Sequence, residues 1–568
     1  MKKTSSRASL VAATISVFVS LLLLAGMFGN TLAVASMANT RAGTSLTTLT
    51  SLNDHVPIRA DSDSEFISLA ASEDWHGDGS FASPYVIENL EINATGSFDG
   101  IYVGNLTVCF IIANCSVYGA ICADSGGYPY EYGAGIAAVN DTGFVVIRNN
   151  LCDGNSEGIF IYGLSSFTVD RNTCNNNDYD GINLYACVQG QIEENICSGN
   201  ANTGIYLAGS SVENSITGNT VSAEGYGIYL YRSGRNSVAD NQCKSDGHGI
   251  LLGSSGNCTV SGNICQVETL SGITLEGSND STVSGNTCSD SGYYGIFLDS
   301  SSNDSVYGNS CDGNKYYGIF LGGSNSNLIS KNVCDSNSFY GIYLYSSWWN
   351  NVTGNTCDNN VHYGIYLYSA SVNNVVQTNT CDDNLEVGIF LFSSGTENAL
   401  RGNDCENNGH YGIYLYSSNR SQVIDNICHL NGFYGIYLFN ESSNNTVRQN
   451  TCNGNAGAGI FLYLECGNNT IENNTCNGVS SKGIYVLQGC SDNIIRGNTC
   501  TGDTEGVSID VTSIGNSVTA NNVGGATDNN DWAWVVAGIV LIAVLLAVLV
   551  SRRKRQKASN NGKRKSKR

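Results

Sequence analysis

The hexapeptide Tyr-Gly-Ile-Tyr-Leu-Tyr stands at Tyr340–Tyr345, again at Tyr363–Tyr368 and again at Tyr411–Tyr416. Its alternation has period two, so Ile and Leu point one way and the rings the other, as in a β-strand. Six or seven residues before each Gly-Ile lies a cysteine in the sequence Asn-x-Cys. Aligned on that cysteine, Cys152, Cys174, Cys197, Cys243, Cys265, Cys288, Cys311, Cys334, Cys357, Cys381, Cys405, Cys428, Cys452, Cys476 and Cys500 mark a repeat of 22 to 24 residues, and Val221 fills the slot left between Cys197 and Cys243. A unit this short, made of two or three strands and polar Asn/Ser/Gly corners, cannot bury its own apolar face, so units must stack. In-register parallel stacking puts rungs about 4.8 Å apart and lines up columns of inward Ile, Leu, Val and Cys.

The period is too short for propeller blades, and no leucine-rich LxxLxL pattern is present. Pro57, Pro84 and Pro129 all precede the regular array, where a missing amide would break the ladder between rungs. The sequence therefore predicts an all-β chain folded as a parallel β-helix, right-handed because parallel crossovers are. About 16 regular rungs follow from residue 152, within a β-helix spanning residues 83–523. Solenoid ends need caps, and in the N-terminal segment 36–82 the stretch Asp63 to Ser72 reads as a short amphipathic helix suited to cover the first rung.

Both termini point to export and anchoring. Lys2, Lys3 and Arg7 precede an uncharged stretch and the small residues Ala33-Val34-Ala35, which makes residues 1–35 a secretory signal peptide or, uncleaved, an anchor. After a linker at 524–531, residues 532–550 are an uncharged apolar run of 19 residues that opens on Trp532 and Trp534. It reads as a transmembrane helix, with the basic tail 551–568 on the cytoplasmic side and the body outside a single-pass cell-membrane anchor. Leader and tail carry 13 of the 27 Lys and Arg and none of the 49 Asp and Glu, so the exported part holds 14 basic against 49 acidic residues, a net of −35. That charge excludes nucleic acid as a partner.

The aromatic positions Tyr343, Tyr366, Phe390, Tyr414 and Tyr437 form one outward column, and Tyr345, Tyr368 and Tyr416 belong to a second. The two read as a ribbon of exposed rings suited to carbohydrate. Beside them Asp358, Asp382 and Glu406 continue an acidic column from Asp312 and Asp335, and His362, Glu386 and His410 share another slot. Stacked carboxylates favour a hard cation such as Ca²⁺, whereas the His-Glu-His column suits a transition metal. The column cysteines read as buried free thiols. Cys109, Cys115, Cys122, Cys187, Cys258, Cys466 and Cys490 lie off the column and are open to pairing. Asp124 to Tyr132 is the one stretch with the look of an inserted loop.

The opening HVPIRADSDSEFISLAASEDWHGDGSFASPYVIENLEI (His55 to Ile92), followed by the Asn-x-Cys and Gly-Ile-aromatic-Leu rungs, resembles archaeal cell-surface proteins with parallel β-helix repeats. These are grouped with the NosD β-helix domain, itself similar to the pectin lyase-like class. The resemblance implies a β-helix over about Pro57 to Val523 and a role with sugars or copper. Three methionines, two of them in the leader, make a poor copper donor set. The leading expectation is a non-enzymatic, membrane-anchored surface module that binds carbohydrate or another envelope component or serves as envelope structure. The alternatives are a polysaccharide hydrolase or lyase and a copper-related protein. A lyase needs a Lys or Arg base, and almost none stands beside the acidic columns.

Protease added to intact cells should digest the body and spare an epitope placed on the 551–568 tail. Digestion of the tail instead would reverse the topology.

Overall fold

The computed structural model describes residues 52–122, 133–223, 225–245, 247–394 and 396–523. The leader at 1–35, the stretch 123–132, the linker, the apolar run 532–550 and the tail lie outside the described residues. Among the described residues no helix is long and apolar enough to cross a membrane.

The described chain is a parallel β-helix. Two sheets of 19 strands run through the array, one of them built from the Gly-Ile-aromatic segments, while a third is made of strands only in the turns at either end and of single bridges such as Val333 to Thr356 in the middle. Every strand pairs in parallel with its equivalents one turn before and after, as in Tyr340–Tyr345 on Tyr363–Tyr368, with Ile342 beside Ile365 and Tyr343 beside Tyr366. Val221 does occupy the cysteine slot, between Cys197 and Cys243. The array begins earlier than the Asn-x-Cys marker shows. Asn53–His55 and Ile58–Ala60, inside the segment set apart as 36–82, already pair with Leu90–Asn93 and Ile101–Gly104. Those first turns carry Ile92 and Val117 in the cysteine slot, so a cysteine-based alignment passes over them.

Asp63–Ser72 is an α-helix at this end of the solenoid. Ser62 caps it by accepting from the Glu65 amide, and Glu65 returns a carboxylate to the Asp61 amide, which satisfies two amide groups that a helix start leaves open. Its fully buried Phe66 packs among Trp75, Tyr85 and Phe110. Asp63 accepts from both the amide and the hydroxyl of Thr107, fastening the helix to the second turn.

Inside, the expected columns are present. Ile342, Leu344, Val352 and Cys357 in one turn, and their counterparts in the next, are all 0% exposed. Every described cysteine is free, those off the column included, and Cys122 alone among them is exposed. The glycine of the motif is fixed by close approach, since a Cβ on Gly341 would lie 2.6 Å from the Gly364 carbonyl oxygen and 2.8 Å from the Cys357 Cβ.

A tight corner leaves amides that no strand partner can reach, and buried asparagines meet them. Asn332 donates its backbone N–H to Asn355 Oδ1 at 3.0 Å, Asn355 repeats this to Asn379 at 2.9 Å, and Asn355 Nδ2 also donates to the Ile329 carbonyl at 2.9 Å. The ladder runs without a break from Asn150 to Asn521. A second asparagine column stands three residues after the cysteine, as in Asn337, Asn360, Asn384 and Asn408. A third passes through Asn327, Asn350, Asn374 and Asn398, at the corner after the aromatic strand.

Asn355→Ala would strand the Asn332 amide and the Ile329 carbonyl in the interior and should cost about 2–4 kcal/mol in chemical denaturation. Cys357→Ser, which adds only a hydroxyl to a fully buried slot, should cost about 1–3 kcal/mol, and Cys357→Ala no more than that. Thiol labelling of native Cys357 at the rate of an exposed cysteine would contradict its buried place.

Candidate functional site

The outward side chains of the Gly-Ile sheet make a distinctive surface. Because strands stack in register, each outward position generates a column at rung spacing. Phe297, Phe320, Tyr343, Tyr366, Phe390, Tyr414, Tyr437, Phe461 and Tyr485 form an unbroken stack, with centroids 4.5–5.2 Å apart and planes within 19° of parallel. Tyr345, Tyr368, Phe392, Tyr416, Phe439 and Tyr463 make the second column at 4.5–5.8 Å. Sequence reading missed a third, through Tyr294, Tyr317, Tyr340 and Tyr363 and, beyond Val387, through Tyr411 and Tyr434. Its signal was the Tyr before each Gly, which was in the motif but was not assigned a face.

The expected ribbon of exposed rings needs correction. Offset-parallel rings about 5 Å apart cover one another's faces. Phe390 and Tyr437 are buried at 6% and 7% exposure, while Tyr343, Tyr366, Tyr368, Tyr414 and Tyr416 are half-buried. Tyr345, which begins its column beside Gly322, is the exposed member at 43%. Burial also pushes the Tyr340 phenol up to about 12. The surface therefore offers ring edges and neutral hydroxyls, not open ring faces.

The acidic column is a hydrogen-bond ladder. Asp312 accepts from the Asp335 amide at 2.9 Å, Asp335 from Asp358 at 2.8 Å, Asp358 from Asp382 at 2.8 Å and Asp382 from Glu406 at 2.6 Å. Backbone donors thus offset part of the repulsion between rungs. Burial, with Asp335 and Asp382 on either side, still pushes Asp358 up to about 6. His362 and Glu386 do come together, with Nδ1 to Oε1 at 2.8 Å. Burial pushes Glu386 up, but the hydrogen bond from His362, then the nearby His410 and Tyr363, outweigh it and leave the carboxyl below its usual range. Both histidines also prolong ring columns, His362 against Phe339 at 5.1 Å and His410 against Phe433 at 5.4 Å. Among the described residues, no three His, Cys, Asp or Glu side chains are grouped to hold a metal ion.

With this geometry in view, the family likeness is clear. A family model described as periplasmic copper-binding protein (NosD) matches residues 94–263, 208–333 and 268–410, together more than half of the chain. A model of a right handed beta helix region matches residues 373–531. The chain matches no curated protein sequence. Among solved structures it is similar to a periplasmic alginate epimerase, at 14% identity and a TM-score of 0.32, over 81% of this chain and 89% of that one. It is likewise similar to the catalytic domain of a GH87 α-1,3-glucanase solved with nigerose, at 14% identity and a TM-score of 0.34, over 61% and 65%.

The described residues do not fit copper. Met1, Met27 and Met37 all lie outside the described residues. Burial pushes the thiols of Cys357, Cys381 and Cys405 far above their usual range, whereas Cys334 in the same column, raised by burial but lowered by hydrogen bonds from Cys311 and Cys357, comes down to about 6. His248 Nδ1 pairs with the Thr274 hydroxyl and His429 Nδ1 accepts from the Asn453 amide, and neither ring is grouped with other donors among the described residues.

The raised Asp358 carboxyl sets the sign of a pH effect. A carboxyl that holds its proton more tightly in the fold stabilises it at low pH, and the stabilisation is lost as pH rises through about 6. Asp358→Asn keeps an acceptor for the Asp382 amide, so it should raise the melting temperature at pH 8 and leave it nearly unchanged at pH 4. A lower melting temperature at pH 8 would contradict the ladder.

Proposed function

This chain belongs to the NosD family, and from that premise we propose that it is a membrane-anchored extracellular module whose stacked aromatic face binds polysaccharide. The observation that carries the reading is the nine-ring column on a rigid sheet, flanked by two further columns on the same face. Phenol edges at Tyr343, Tyr366, Tyr414, Tyr437 and Tyr485 along this column suit a linear polymer of sugar units, whose hydroxyls accept and donate hydrogen bonds along its length. Residues 532–550 are the proposed membrane anchor, with the 551–568 tail cytoplasmic.

The measurement is gel retention and calorimetry of the purified exported body against a panel of soluble polysaccharides. Replacing Tyr343, Tyr366 and Tyr414 together by Ser should weaken retention at least tenfold. Replacing the same three by Phe keeps the stack and removes the edge hydroxyls, and it should weaken retention at least threefold. Retention equal to the parent in both variants would leave the face a structural role only.

A further inference from the structure

The second ring column starts abruptly. One rung before Tyr345 the same outward position holds Gly322, one rung before that it holds Asp299, and before that Glu276. Along its column Tyr345 has Tyr368 on one side at 5.8 Å, and toward Gly322 no ring covers it, so it stands 43% exposed. The space over Gly322 is open. A Cβ there would meet nothing nearer than Phe320 Cζ at 3.5 Å and Phe297 Cε2 at 3.6 Å. On the adjoining Gly323 a Cβ would have only Ser300 Oγ within 4 Å. The result is a gap floored by the edges of two Phe rings and walled by Tyr345 on one side and a carboxyl group on the other.

Two rung spacings of about 4.8 Å separate Asp299 from Tyr345, which is the room that one more ring of the stack would take. A pyranose ring carries C–H groups on its face and hydroxyls on its rim, so it can lie on Tyr345 in place of the missing ring and turn its rim toward Asp299. Apolar walls with one or two well-placed polar atoms are the usual make-up of such a site. Asp299 is half-buried. Its Oδ1 accepts from Ser300 Oγ at 3.2 Å, and its Oδ2 has no hydrogen-bond partner among the described residues.

The corner of the same turn brings a second open ring. Trp349 is 61% exposed and sits at φ 58°, in the position that Asn303, Ser326 and Asn373 hold in neighbouring turns. Asparagine tolerates this left-handed conformation and a bulky residue is strained in it. The corner therefore does not call for a tryptophan, and Trp348 is its only ring contact among the described residues, edge-on at 6.4 Å.

We infer that the Gly322 gap is a subsite for one unit of a neutral glycan, with its ring on Tyr345, a hydroxyl donating to Asp299 and the adjoining unit over Trp349. The ligand class rests on the glycan reading of the aromatic face, whereas the subsite rests on the gap and its accessible walls. Glu276 and Asp299 in successive rungs repel uronate and sulfate groups, which leaves neutral sugars.

The test uses the full-length protein in a detergent without a sugar headgroup, titrated by calorimetry with hexasaccharides from dextran, mannan and β-glucan and with hexagalacturonate. At least one neutral hexasaccharide should bind. Tyr345→Ala should weaken it at least tenfold, and Asp299→Ala and Trp349→Ala at least threefold each. Gly322→Tyr supplies the missing ring, so it should raise the melting temperature, which shows the fold intact, and still weaken binding at least tenfold. Parent affinity in any of these variants would overturn the subsite, even where the variant with Phe at 343, 366 and 414 shows the long face at work. Loss in Gly322→Tyr beside parent affinity in that Phe variant would uphold the subsite and take the edge hydroxyls of the long face out of binding. Binding of hexagalacturonate alone, or of no probe, would overturn the neutral ligand.

Discussion

Every turn of this solenoid bends its backbone through corners whose amides and carbonyls face the interior, and buried asparagines satisfy them. One side chain does three things at once in the ladder through Asn355. It accepts the amide of the turn before, donates to a carbonyl of the Ile329 strand, and meets the asparagine of the next turn. A chain with such columns can stack in one register only, because a slip by one residue would leave a column of unsatisfied groups in a dry core. The narrow strand between two asparagine columns then admits a small apolar residue. That is why the slot holds Cys or Val from Cys152 onward, and why Gly341 must carry no side chain where it passes over Cys357.

Register fixed inside dictates the outside. Outward residues repeat at the rung spacing, so aromatic positions become continuous stacks and acidic positions become a ladder joined through backbone amides. Both outcomes favour rigidity, and both change the chemistry on offer. Rings stacked face to face present edges. Carboxylates held by the next turn's amide are oriented and partly neutral, as Asp358 shows. The resulting surface presents ring edges, phenol hydroxyls and oriented carboxylates at rung spacing.

The β-helix itself was legible because period-two alternation in Tyr340–Tyr345 and the return of Asn-x-Cys leave little else possible. The helix at Asp63–Ser72 was legible from its amphipathic pattern. Less visible were the first turns, where Ile92 and Val117 replace cysteine and the marker disappears. The asparagine of Asn-x-Cys was in plain sight, yet as a polar residue it read as a solvent corner, since only the folded register shows that it faces inward. Ring exposure was overestimated for a similar reason. Alternation says that Tyr414 points outward, but not that Phe390 and Tyr437 cover both of its faces.

The central claim is that inward asparagines hold the corners closed as firmly as the strands are held. Native-state hydrogen exchange resolves it directly, read at the backbone amides of Asn332, Asn355 and Asn379 and at strand amides such as Ile342 and Ile365. The account predicts that these corner amides exchange as slowly as the strand amides, through the same cooperative opening. Corner amides that exchange freely while the strands stay protected would contradict it.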